Sequence, residues 1–328
     1  MSKKIILTGC AGFIGYHTGL LYLKKGYKVL GIDNINDSYD KQLKKKRLDH
    51  LKREKNFIFK KCDIENLSKL ENIFKFFNKG TKPIAIINLA AKTGVRKSTS
   101  EPRLYFQSNL MGALNIAQCA LKFKINKIVH ASTSSVYGNS NEKSFSVDSE
   151  TSSPVSNYAA SKKSSEVLMH AINKIHKINI TILRFFTVYG PFGRPDMSPF
   201  IFIESNLRKK QITLYGDGNQ KRDFTYVDDI ATGIFKSQKL KGFNILNLGN
   251  NRPIKINNLL NTIKKLSNTP NKIKKTRSLL VDVKYTSANI DKTFDLIKWK
   301  PSTKFEIGVS KTFKWHQENR KWLKKIKI

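Results

Sequence analysis

The stretch Thr8-Gly9-Cys10-Ala11-Gly12-Phe13-Ile14-Gly15 decides the fold. It follows residues 4–8, an apolar run of strand length, and opens residues 16–25, which read as a helix stopped by Gly26. Three glycines spaced G-x-x-G-x-x-G between a strand and a helix meet three physical demands. The chain turns tightly out of the strand, its backbone comes close to a pyrophosphate, and the helix packs close on the sheet. The helix N-terminus then offers free N–H groups and the positive end of its dipole to the phosphates. Residues 27–33 read as the next strand and end in Asp33. A carboxylate there can bond the adenosine ribose hydroxyls and repels a 2′-phosphate, which favours NAD over NADP. The bland alternative is a structural turn followed by an unrelated aspartate.

Working outward, residues 57–62, 84–89, 127–132 and 180–185 read as strands, and 104–123 and 158–175 as helices. The alternation predicts an α/β chain built on a Rossmann-type, doubly wound parallel sheet over residues 1–186. After about Thr187 the rhythm changes. Pro191, Gly193, Pro195, Pro199, Gly216 and Gly218 punctuate shorter elements. Residues 187–328 are expected to form mainly a smaller α/β substrate-binding domain over the sheet's C-terminal edge, where such sheets bind ligands, with some segments returning to the first domain. Asp63 and Ile64, ending the third strand, are candidates to meet the adenine, with an ordinary loop aspartate as the alternative.

A second signal is Tyr158-Ala159-Ala160-Ser161-Lys162. Tyrosine and lysine at i and i+4 share one helix face. Tyrosine is a poor base, with a free pKa of about 10. A nearby ammonium favours the phenolate, and bringing the phenol to about 7 would take roughly 4 kcal/mol of such preference. Bound nicotinamide's own charge acts the same way. The phenolate can then remove a hydroxyl proton as hydride leaves the same carbon for NAD. Alone, the pair reads equally as a surface Tyr–Lys contact. The hydroxyl-rich stretch Ser132-Thr133-Ser134-Ser135-Val136-Tyr137-Gly138, between the glycine loop and this helix, shifts the balance toward chemistry.

Composition bounds the setting. The chain has 328 residues, 39% of them hydrophobic, enough for a sizeable core. Cys10, Cys62 and Cys119 lie far apart, without metal-ligand or disulfide spacing, which suits a reducing cytosol. No signal-peptide core and no 18-residue apolar run is present, so a cytoplasmic protein without a membrane span is expected. No metal site is expected. The formal charge of +37 is the odd feature. The lysines, such as Lys44–Lys46, Lys264 and Lys265, spread along the chain and read as decoration of helices and termini. No nucleic-acid motif accompanies them, so nucleic acid is not expected as a partner, although a positive field would attract an anionic substrate.

The motifs TGCAGFIG, NLAAKTGVR, STSSVYG, YAASK, LRFFTVYGP, KRDFTYVDD and NLGN, in this order over most of the chain, resemble the extended short-chain dehydrogenase/reductases in their nucleotide-sugar epimerase branch. The resemblance implies Thr133, Tyr158 and Lys162 as the catalytic set. It places NAD against Gly9, Gly12, Phe13, Ile14 and Gly15, with Asp33, Asn34, Asp63 and Ile64 toward the adenosine. Leu89, Ala90, Ala91, Tyr158 and Lys162 complete the cofactor contacts. Members usually form homodimers through two helices per subunit, here those containing residues 104–123 and 158–175.

GIDNINDSYD, TGVRKS, PVSNYAASK and RFFTVYGPFGRPDM resemble the UDP-glucuronate 4-epimerase subgroup more sharply. That implies UDP-glucuronate as substrate, UDP-galacturonate as product, a transient 4-keto sugar, and a role in making uronate-containing polysaccharide. Arg194, with Thr187 and Ser134, would hold the sugar carboxylate and nearby oxygens. Arg222 would meet the diphosphate and Arg96 would touch substrate. Read from residues alone, Arg194 is as well explained as a loop arginine pairing with Asp196. Two departures stand out: Asn88 where relatives often have His, and Lys92-Thr93 where they often have Gln-Ala, putting a charge near the cofactor. Trp299-Lys300-Pro301 also lacks the glycine that often leads this turn. Alternatives sharing the first oxidation are a UDP-glucose or UDP-N-acetylglucosamine 4-epimerase and a UDP-glucuronate decarboxylase. Ser134-Ser135 after Thr133, in place of an acid pair, argues against a 4,6-dehydratase. A non-catalytic NAD- or RNA-binding scaffold is the alternative from another class.

Overall fold

The computed structural model describes residues 2–140, 142–277 and 285–328. Six strands alternate with helices through the first half. They are β1 (Lys4–Thr8), β2 (Lys28–Asp33), β3 (Phe57–Lys61), β4 (Ala85–Asn88), β5 (Lys127–Thr133) and β6 (Asn179–Phe185). The intervening helices are α1 (Phe13–Lys24), α2 (Lys41–Lys52), α3 (Leu67–Phe77), α4 (Pro102–Phe106), α5 (Gly112–Lys122) and α6 (Asn157–His176). A π-helical turn, Gln107–Met111, joins α4 to α5. Helices α2 and α3 were not anticipated. Their signals were the caps, since Asp40 accepts from Gln42 N–H and Asn66 from Lys69 N–H.

The second half contributes short strands β7 (Thr187–Tyr189), β8 (Gln211–Tyr215), β9 (Lys221–Arg222) and β10 (Phe224–Tyr226). Strand β11 (Phe243–Leu248) follows, then β12 (Ile254–Lys255) and β13 (Lys272–Thr276). Its helices are α7 (Ser198–Leu207), α8 (Val227–Ser237), α9 (Ile256–Ser267), α10 (Asp291–Ile297), α11 (Phe305–Glu318) and α12 (Arg320–Leu323). The central sheet runs β11-β6-β5-β4-β1-β2-β3, all parallel, so β11 crosses back to extend the first half's sheet. This is the Rossmann-type α/β architecture, and its strand order reverses direction between β1 and β4.

Strands buried on both faces carry near-continuous apolar runs. Ile5 and Leu7 belong to one core layer with Val29, Ile87 and Val129. Ile6, Leu30, Ile86 and Ile128 belong to the other, over α3, α5 and α6. A third core, built on Leu214, Phe224, Leu259 and Phe313, holds the smaller lobe together. The residues that follow β1 and β4, Gly9, Leu89 and Ala90, line a cavity at the C-terminal edge of the sheet.

Candidate active site

At the end of β1 the chain takes a left-handed turn at Gly9, whose φ is +70°. A side chain there would lie 2.8 Å from the backbone of Leu89 and Ala90, so only glycine lets β1 and β4 close up at the crevice. At Gly15 a Cβ would fall 2.0 Å from the Gly9 carbonyl, which fixes how closely α1 packs on the loop. Gly12 is the N-cap of α1 and has no side chain to bond the first-turn N–H groups, and no acid occupies that turn. Those donors suit an anion. Asp33, at the end of β2, accepts from Ala11 N–H (3.1 Å) and Ile35 N–H (2.8 Å), which fixes its carboxylate beside the loop. Asn34 donates to Asp63 at 2.6 Å. An adenine dinucleotide fits this donor set: free helix N–H groups for the pyrophosphate and an anchored carboxylate for the ribose.

Gly9, Gly12, Gly15, Asp33, Asn34 and Asp63 line one cavity of about 850 Å³. Phe13, Ile14, Ile64, Leu89, Ala90 and Ala91 line it as well, and so do Thr133, Ser134, Tyr158 and Lys162 from β5 and α6. Thr187, Arg194 and Arg222 reach it from the second half, and Arg96 from the loop after β4. The Arg96 guanidinium stacks 4.2 Å over the Tyr215 ring, joining the two halves across the opening. The structure thus gathers in one cavity every residue proposed from sequence for catalysis, cofactor or substrate.

The chemistry centres on α6, capped by Ser156, whose hydroxyl accepts from Ala159 N–H. Tyr158 and Thr133 face the same cavity, and the Thr133 hydroxyl favours the ionised form of the phenol. Burial raises the Tyr158 phenol above the ordinary value, while Thr133 and the Arg194 charge pull it down. The expectation was a phenol lowered by the Lys162 ammonium together with bound nicotinamide; in the polypeptide's own field desolvation outweighs the neighbouring groups, and those that pull the phenol down are Thr133 and Arg194. Lys162 is 2% exposed, and burial drives its ammonium down to about 8 against the pull of Glu166. Glu166, one turn further along α6, is itself buried and bonded by Ser132 and by both arms of Arg184 (3.0 and 2.8 Å).

The two departures have physical accounts. Asn88 belongs to a buried chain of hydrogen bonds. Ala90 N–H donates to Thr8, Thr8 to Asn88 Oδ1 (2.6 Å), and Asn88 Nδ2 to His130 Nδ1 (3.0 Å). His130 Nε2 meets Ser165 Oγ (3.0 Å), which donates to the Lys162 carbonyl. Burial holds His130 well below its ordinary pKa, which supplies the neutral ring this order of donors requires. The chain ties the cofactor edge to the catalytic helix. Lys92 does not line the cavity; its ammonium lies 2.8 Å from Glu101 and over the Tyr105 ring. Its neighbour Thr93 lines the cavity and accepts from Arg194.

Reading the lysine-rich stretch around residue 44 as surface decoration needs correction. Lys44 is 6% exposed, lines the cavity and donates to Asn36 Oδ1. Arg47, fully buried on the same helix, donates to the carbonyls of Ala11, Phe192 and Gly193 and to the Tyr39 hydroxyl. It braces the glycine loop against the loop that carries Arg194. Leu43, Leu48 and Leu51 bury that helix face, and they were the available signal. Among the described residues no cluster suits a metal ion.

Comparison with known proteins gives four findings. Residues 5–249 match the NAD dependent epimerase/dehydratase family. A UDP-glucuronate 4-epimerase of Thermodesulfobacterium geofontis is 42% identical over 98% of this chain and 99% of its own length. Among solved structures, UDP-glucuronic acid 4-epimerase from Bacillus cereus in complex with UDP-glucuronic acid and NAD has a TM-score of 0.89 at 32% identity, covering 96% of this chain and 99% of that one. UDP-glucose 4-epimerase from Thermotoga maritima, with UDP-glucose, has a TM-score of 0.88 at 26% identity, over 97% and 99%.

Proposed function

The chain belongs to the NAD dependent epimerase/dehydratase family, and from that premise we propose that it interconverts UDP-glucuronate and UDP-galacturonate by NAD-dependent 4-epimerisation through a transient 4-keto sugar. Relatives of that activity share nearly the whole chain and fold. The observation that carries the reading is the meeting of Tyr158, Thr133 and Arg194 in one cavity, with the guanidinium close enough to act on the Tyr158 phenol.

When bound, NAD supplies a hydride acceptor and donor for the sugar's C4. Gly9, Gly12 and Gly15 leave room for its pyrophosphate, and Asp33 anchors the adenosine ribose. Tyr158 takes the proton of the 4-hydroxyl and later returns it. Thr133 bonds the same oxygen and steadies it as it changes between hydroxyl and ketone. Lys162 places positive charge beneath the reacting pair. Arg194, with Thr187 and Ser134, holds the sugar carboxylate. Fixing that group also protects the β-keto acid intermediate from losing carbon dioxide. Arg222 and Arg96 serve the diphosphate side. In this reading residues 1–186 hold mainly the cofactor and residues 187–328 mainly the nucleotide sugar.

The same reading includes a homodimer. The helical run 102–122 packs beside α6, and the two expose Leu104, Met111, Val167 and Ile175. A cytosolic setting and a role in uronate-containing polysaccharide belong to it too. Among the described residues no helix is long and apolar enough to cross a membrane.

NMR of the purified protein with UDP-glucuronate is the test. UDP-galacturonate should accumulate to equilibrium, and Tyr158→Phe should abolish this while NAD stays bound. A UDP-pentose product, or conversion of UDP-glucose with UDP-glucuronate left untouched, would refute the assignment.

A further inference from the structure

Arg194 already has a carboxylate in its fork. Its Nε and Nη2 donate to the two oxygens of Asp196 at 3.1 and 2.5 Å, and its Nη1 donates to the Thr93 hydroxyl. Only Pro195 separates the two residues, so the pair is built into the loop. Yet the pair is open to the cavity: both side chains line it, and they are 20% and 36% exposed. Lys97 also lines the cavity, and its charge acts on Asp196. The Arg194 guanidinium also lies 6.0 Å over the Tyr39 ring.

We propose that Asp196 is an internal carboxylate that exchanges with the sugar carboxylate on Arg194, and so sets both the preference for uronates and the ease with which the sugar lets go to turn. The inference rests on the uronate reading above. Epimerisation takes hydride from one face of C4 and returns it to the other, so the sugar has to turn between the two transfers. A carboxylate clamped in a bidentate fork resists turning. Letting go would leave a largely buried guanidinium with Thr93 as a neutral partner and no counter-charge, which is costly. Asp196 removes that cost because the fork refills as the sugar leaves. The trade is one carboxylate for another, and Lys97 steadies Asp196 while it is displaced. A neutral sugar brings nothing able to displace Asp196, so for it the pair stays closed. Asp196 acts through Arg194 and is a positioning residue.

The test uses the full chain with NAD bound. Asp196→Asn keeps the size of the side chain and removes its charge, and Asp196→Ala serves as a second variant. Without the internal competitor, KM and kcat for UDP-glucuronate should both fall by about fivefold, leaving kcat/KM little changed. In a Tyr158→Phe background, calorimetry should show UDP-glucuronate binding tighter by the same factor and UDP-glucose binding unchanged. A raised KM, a fall in kcat alone, or equal changes in both affinities would overturn the exchange and leave Asp196 as a loop-shaping residue. Wild-type protein that converts UDP-glucuronate while the Asp196 variants behave identically sinks the exchange only. Wild-type protein that converts UDP-glucose and ignores UDP-glucuronate sinks the uronate reading together with it.

Discussion

Lys162 shows how one residue carries opposite consequences for stability and chemistry. Its ammonium is buried and held at about 8, below the free lysine value. The folded pKa is therefore lower than the unfolded one. Below about 8 the fold carries the full penalty of a buried charge, and the penalty fades as pH rises from about 8 to about 10.5. Lys162→Met should then be more stable than wild type at pH 7, by about 1–3 kcal/mol. Chemical denaturation at a series of pH values checks this, because the difference should close by about pH 10.5. Turnover should fall by about a hundredfold or more in the same variant. A Lys162→Met protein less stable than wild type at pH 7 would show that Glu166 compensates the charge more fully than burial penalises it.

At the scale of elements, the site depends on helices that hold loops in register. Helix α6 presents Tyr158 and Lys162 while its buried Glu166 locks it to β6 through Arg184. In the smaller lobe, Glu204 of α7 performs the same service. It is fully buried and bonds His316 of α11 (2.8 Å), Arg208 (2.8 Å) and Arg320 (2.9 Å). Burial would push its carboxyl up, but these three partners bring it down to about 2. Its folded pKa is depressed, so its contribution is present above the unfolded value of about 4.3 and is lost as pH falls through about 2. Glu204→Gln should cost about 3 kcal/mol at pH 7, and the gap to wild type should narrow as pH falls from about 5 to about 2. Acid unfolding of the two proteins measures it, and a gap independent of pH would refute the ionic account. The turn that lacks its expected glycine is also an element-scale matter. Lys298 takes the left-handed conformation itself, at φ +48°, and ends α10. Trp299 behind it is buried and donates to the Asp229 carbonyl, which holds the turn in place.

For the whole molecule, charge is the dominant long-range property. A formal +37 on 328 residues creates a positive field around a cavity that takes anions. Such a field raises the local concentration of a negatively charged substrate and is screened by salt. The ratio kcat/KM for UDP-glucuronate should therefore fall about tenfold between about 20 mM and about 500 mM sodium chloride, with thermal stability little changed. A flat salt profile would mean that the lysines are too dispersed to act together at the cavity.

The sequence by itself determined the strand–glycine–helix start, the parallel α/β sheet and the cofactor's place on it. Local chemistry suffices for these, because only glycine tolerates the backbone approach at Gly9, and apolar runs such as residues 4–8 fit a sheet buried on both sides. The Tyr158–Lys162 spacing was legible for the same reason, since both ends lie on one helix face. Contacts between distant segments were not legible. A return of some segment to the first domain was expected, but that β11 is the one, that Asn88 pairs with His130, and that a lysine-rich helix buries Arg47 beneath two loops depend on parts of the chain tens of residues or more apart. The phenol's upward shift likewise needed tertiary structure, because desolvation depends on everything packed around a group. So did the partner of Arg194: sequence offered both a sugar carboxylate and Asp196, and the fold put the arginine in the cavity with Asp196 already in its fork.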